Sequence, residues 1–121
     1  FSEEDLSSKL YMNVKQIKEM HNNSMSFGSH GENHFWWNKL NYINQMKEIN
    51  NSINFFKKIK IYNDSFSVCY PFGGFNLSTV KILKKKNVEF ALTTKVGSLN
   101  KKNIKNNFEL PRYDTNDFKN I

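Results

Sequence analysis

The stretch Met25-Ser26-Phe27-Gly28-Ser29-His30-Gly31-Glu32-Asn33-His34 sets an apolar run directly before two of the chain's three histidines. Met25 to Ser29 reads as a short strand. Glycines at 28 and 31 mark a loop rather than the middle of a helix. Two imidazoles four positions apart face one point if the backbone turns once between them. Neutral imidazole is the commonest protein metal ligand, and zinc is a frequent guest. Two surface histidines in a polar loop fit the same spacing, so the pair by itself leaves both readings open.

Working outward, helix and strand alternate. Asn13 can cap a helix from Val14 to Asn22, with Val14, Ile17 and Met20 on one face and His21 at its end. A longer helix follows from Asn41 to Lys57, with Ile43, Met46, Ile49, Ile53 and Phe56 as its apolar stripe. Asn63-Asp64 reads as a turn and Phe66 to Tyr70 as a buried strand. Pro71-Phe72-Gly73-Gly74 reads as a loop. Asn76 or Ser78 caps a third helix with Leu77, Val80 and Leu83 inward, and Asn87 ends it in the left-handed conformation. Val88 to Thr94 is a strand in which Phe90 and Leu92 alternate with smaller residues. Gly97 to Asn107 is a polar loop, and Phe108 to Tyr113 a last extended segment. The first eleven residues show no clear periodicity. This alternation predicts an α/β fold with parallel strands. In such folds chemistry gathers on loops after the carboxyl ends of strands. Ser29 to Trp37, Pro71 to Asn76 and the surroundings of Arg112 all occupy such positions.

The 121 residues make one domain or a piece of one, and their 38% hydrophobic and 15% aromatic content supports a real core. No apolar run approaches the roughly 18 residues of a membrane helix. No secretory signal is visible in Phe1-Ser2-Glu3-Glu4-Asp5, and the compartment stays open between cytoplasm and cell envelope. The formal charge of +7 comes from 17 lysines and the single arginine, Arg112. Base readers and phosphate clamps favour arginine, so the lysine runs read as solvated surface and no nucleic-acid partner is expected. Cys69 has no second cysteine to pair with and reads as a small core residue.

With these segments in place, the sequence resembles the polysaccharide deacetylases, the NodB-homology domains of carbohydrate esterase family four. The likeness runs from about residue 11 to 114 and rests on Gly28-Ser29-His30 with His34, on Tyr70-Pro71-Phe72-Gly73, on Phe90-Ala91-Leu92-Thr93-Thr94, and on Leu110-Pro111-Arg112. It implies a single domain over residues 1–121, built as a partial, distorted (β/α) barrel. It implies a hydrolase that removes acetyl groups from N-acetylated carbohydrate, acting on C–N bonds other than peptide bonds. His30 and His34 would be metal ligands, usually for zinc. Tyr70, Pro71, Phe72 and Gly73 would wall the sugar groove, with a backbone N–H near Phe72 stabilising the oxyanion. Trp36 and Trp37 are candidates for stacking on sugar rings, and Arg112 for supplying positive charge.

The departures carry their own expectations. In the family an Asp-Asp pair supplies the third metal ligand and the base, and no such pair occurs here. The chain is therefore expected to begin after that strand. A later histidine, usually the general acid, is also missing. Glu32 and Asp114 are the local carboxylates that could stand in. Besides the enzyme, two further readings are a catalytically degenerate domain that binds carbohydrate or a partner, and a basic nucleic-acid module.

Overall fold

The computed structural model describes residues 2–62 and 65–118, so the turn expected at Asn63-Asp64 lies outside the described residues. Within them the helices are α1 (Glu3–Leu10), α2 (Val14–Asn22), α3 (Tyr42–Lys58), α4 (Leu77–Lys85) and α5 (Lys101–Ile104). The strands are β1 (Ser67–Cys69), β2 (Phe90–Val96) and β3 (Leu110–Arg112), and short 3₁₀ turns lie at Trp37–Lys39, Pro71–Gly73 and Thr115–Asp117. None of the described helices is long and apolar enough to cross a membrane.

Asparagines start three of the helices. Asn13 Oδ1 accepts from Gln16 N–H at 2.9 Å, Asn41 Oδ1 from Asn44 N–H at 2.9 Å, and Asn76 Oδ1 from Thr79 N–H at 3.1 Å. Each bond satisfies an amide that the first helical turn would otherwise leave open. Asn87 ends α4 at φ 55°.

The strands form one parallel sheet in the order β1-β2-β3. The mixed helix–sheet class expected from the alternation is present. The strand expected at Met25 to Ser29 is not: only Ser29 pairs, as an isolated parallel bridge to Val68. Two further differences concern the ends of the chain. Glu3–Leu10 is helical but buries none of its residues, which is why no apolar periodicity announced it. The polar loop expected from Gly97 to Asn107 contains α5.

The main core joins Trp37, Ile49 and Ile53 to Phe66, Val68 and Tyr70 of the β1 region, Ile82 and Leu83 of α4, and Val88, Ala91 and Phe108. Leu77, expected inward, is 82% exposed, and Ile43 also faces out. Thr79 and Gln45 take the inward places, joined by a 2.6 Å hydrogen bond from Thr79 Oγ1 to Gln45 Oε1. In β2 the buried residues are Ala91 and Thr93, with Phe90 and Leu92 half-buried. Ala91 joins the main core, and Thr93 satisfies its buried hydroxyl by donating to Leu110 O at 3.1 Å.

Candidate functional site

The backbone of Ser29 runs alongside β1. Ser29 N–H donates to Ser67 O at 2.9 Å, and Cys69 N–H donates to Ser29 O at 2.8 Å. His30 is the next residue, at the carboxyl end of this pairing. Its Nδ1 lies 2.9 Å from Cys69 O. A carbonyl only accepts, so Nδ1 carries the hydrogen, and in the neutral ring Nε2 keeps a lone pair. His34 Nε2 approaches His30 Nε2 to 2.9 Å, with ring centroids 4.6 Å apart. The two histidines therefore converge. Their return geometry rests on His34 at φ 57° and Gly31 at φ 85°, both in the left-handed region.

The loop after β1 reaches the same place. Phe72 (φ 55°) sets its ring 4.5 Å from that of His34 and stacks on Trp36 at 4.7 Å with a 6° interplanar angle. Trp36 and Phe72 are 47% and 49% exposed, so the stacked pair forms an apolar shelf beside the histidines. Gly73 stands at φ 70°, and a Cβ there would overlap the Thr94 side chain. A Cβ on Gly74 would come within 2.7 Å of Asn38 Oδ1 and 3.1 Å of Trp36 Cε3. The glycine pair is what lets this turn lie against both the sheet and the aromatic shelf.

Three residues expected in a sugar groove are core residues instead. Trp37 is 0% exposed and packs edge-on to Tyr70. Tyr70 is 1% exposed, stacks on Phe75 and donates its hydroxyl to Phe108 O at 2.8 Å. Burial pushes the Tyr70 phenol pKa far up, with the Glu109 carboxylate adding to the effect. Pro71 is fully buried. Residues next to an exposed shelf must also attach it to the core, and these three do so.

Arg112 ends β3 and donates from Nε to Thr93 O at 3.1 Å. Burial raises the Cys69 thiol pKa, and the Arg112 charge partly opposes that rise. The same charge helps hold the Asp114 carboxyl below its usual range, after the larger effect of the hydrogen bond from the Asn116 backbone N–H. Arg112 therefore lies at the carboxyl end of the sheet. Glu109 beside it pairs with Lys95 at 3.1 Å.

Neither candidate carboxylate joins the histidines. Glu32 Oε2 accepts from Asn51 Nδ2 at 2.7 Å and from Asn33 Nδ2 at 3.3 Å. Asp114 Oδ1 caps the turn at Thr115–Asp117 through Asn116 N–H at 3.0 Å. No group of three His, Cys, Asp or Glu side chains able to hold a metal occurs among the described residues. The donor chemistry of His30 and His34 fits two ligands of a metal, each with Nε2 directed to one point. Catalytic zinc commonly takes a third protein ligand.

A polar face on α3 was not anticipated from the sequence. Ser29 Oγ donates to Ser52 Oγ at 2.6 Å, Asn51 reaches Glu32, and Asn33 donates to Glu48 from N at 2.9 Å and Nδ2 at 2.6 Å. Residues 48, 51 and 52 share one side of a helix. The available signal was Gln45, Glu48 and Ser52 running at helical spacing beside the apolar Ile49 and Ile53.

The family model described as polysaccharide deacetylase matches residues 6–91, most of the chain. A solved structure, Streptococcus pyogenes deacetylase PplD in complex with acetate, superposes with a TM-score of 0.77 at 27% identity. The match covers 90% of this chain and 48% of that one, so the chain spans about half the length of this neighbour. No curated protein matches the chain.

Proposed function

The chain belongs to the polysaccharide deacetylase family, and from that premise we propose that it is the histidine-bearing part of a metal-dependent hydrolase acting on N-acetylated carbohydrate. The bond cleaved is the acetamide C–N bond of a sugar, not a peptide bond. The observation that carries this reading is the 2.9 Å approach of His30 Nε2 to His34 Nε2, with His30 Nδ1 fixed by Cys69 O. The fold in this reading is a portion of a distorted (β/α) barrel, of which the three parallel strands form one sector.

His30 and His34 would hold the metal, most suitably zinc. A bound zinc polarises a carbonyl and lowers the pKa of water toward 7. The protein's own residues supply position. The Cys69 carbonyl keeps the His30 ring in one tautomer and orientation, the usual outer support of a ligating imidazole. Trp36 and Phe72 offer flat apolar faces of the kind that stack on sugar rings. The turn at Pro71–Gly73 is closed by the N–H groups of Gly73 and Gly74, at 2.9 Å each. The Phe72 N–H is not used in closing it and is the donor proposed for the developing oxyanion. Arg112, held by Thr93 O, adds positive charge at the same end of the sheet.

The test is acetate release from an N-acetylated chitooligosaccharide by the full-length protein, with zinc and with chelator. Zinc-dependent release that His30→Ala and His34→Ala each reduce to background is the expected result. Tight oligosaccharide binding without turnover under any metal would replace the enzyme with a carbohydrate-binding domain.

A further inference from the structure

We infer that Glu48 is a positioning residue for His34, acting through Asn33. The inference rests on the histidine-pair reading above but concerns a helix residue that touches neither imidazole.

Glu48 is 5% exposed, and its carboxylate accepts twice from one residue. Oε2 takes the Asn33 backbone N–H at 2.9 Å, and Oε1 takes the Asn33 side-chain Nδ2 at 2.6 Å. A buried carboxylate costs free energy unless hydrogen-bonded, and here both bonds go to the residue immediately before His34. His34 itself occupies the left-handed region at φ 57°, which a non-glycine residue keeps only when its surroundings over-determine it. Asn33 is pinned on one side of it by Glu48. Trp37, fully buried, anchors the chain three residues later. The left-handed step of His34 lies between these two anchors, and that step turns its ring back toward His30.

The same helix grips the start of the loop. Ser52, one turn on from Glu48, bonds Ser29, and Ser29 Oγ accepts from Gly31 N–H at 3.1 Å. Gly31 has no side chain to hold the loop off the helix. A Cβ there would lie 3.1 Å from Trp37 Nε1 and 3.4 Å from Glu48 Oε2. Glu48 thus fixes the far end of a loop whose near end the β1 pairing already fixes.

The experiment compares Glu48→Met and Glu48→Gln with the parent protein. Methionine preserves volume and helix propensity but removes both acceptors. Glutamine keeps an acceptor for the Asn33 N–H, and its amide can bond the Asn33 side chain after a flip. Two readouts are taken, ring-to-ring NOEs between His34 and Phe72 in the metal-free protein, and zinc affinity. Glu48→Met is expected to lose the NOEs, while those between Tyr70 and Phe75 persist. Its zinc affinity should fall about 10- to 100-fold, the usual effect of removing outer support from a ligand. Glu48→Gln should retain both. A folded Glu48→Met protein with unchanged NOEs and zinc affinity overturns the inference. If Glu48→Met does not fold, Asn33→Ala removes the side-chain bond to Glu48, together with the longer one to Glu32, and keeps the backbone N–H bond. Weakened His34–Phe72 NOEs then support the inference, and unchanged ones overturn it. If the parent protein takes up no zinc yet the NOEs respond as described, the metal reading fails and the positioning role stands.

Discussion

Phe72 lies between His34 and Trp36, with ring centroids 4.5 Å from the imidazole and 4.7 Å from the indole. A single side chain from the turn that follows β1 thereby ties the histidine loop to the aromatic shelf. It does so from a left-handed backbone, followed by Gly73 at φ 70°. The geometry of the shelf depends on a turn that few sequences can make.

Gly73→Ala should therefore be costly. It combines a strained φ with an overlap on the Thr94 side chain. A loss of about 1–3 kcal/mol is expected from the backbone alone. Thermal melts should show it, and the Trp36 fluorescence should shift as the Phe72 stack opens.

Neighbouring tryptophans should behave oppositely. Trp37→Ala empties a fully buried site and should cost about 3–5 kcal/mol. Trp36→Ala removes a half-exposed ring, and melting should change little while oligosaccharide affinity falls. Equal loss of stability in the two variants would contradict the division between shelf and core.

Much of the fold was legible because its signals are short-range. Asn13, Asn41 and Asn76 cap helices through bonds to residues three ahead, and Asn87 takes the left-handed position an asparagine tolerates. The convergence of the histidines was also legible, since it needs only one turn of backbone between them. Which side of a helix faces in is decided by partners distant in sequence. Thr79 displaced Leu77 from the interior because Gln45, thirty-four residues away, offered it a buried hydrogen bond. Tyr70 and Trp37 looked like groove aromatics because an aromatic residue beside a loop serves sugar and core equally well. Only the Phe108 carbonyl and the Phe75 ring reveal which role Tyr70 takes. Glu48 was invisible for the same reason, since its partner Asn33 lies across the loop.

Acid should weaken the β2–β3 edge slightly. The hydrogen bond from Lys95, and to a lesser extent one from Asn106, lowers the Glu109 pKa. A depressed folded pKa stabilises above the unfolded carboxylate value and loses that contribution as pH falls through the folded one. The pair is exposed, so the effect should stay below about 1 kcal/mol and shrink in salt. Unfolding measured between pH 6 and pH 3 should show a shallower acid slope for Lys95→Ala than for the parent protein.

The most direct measurement is anomalous diffraction at the zinc edge from crystals of the protein grown with zinc. A single strong peak is expected within bonding reach of both His30 Nε2 and His34 Nε2, vanishing in His30→Ala. Crystals with zinc bound elsewhere, and no peak between these two nitrogens, would contradict the assignment of the pair as the metal site.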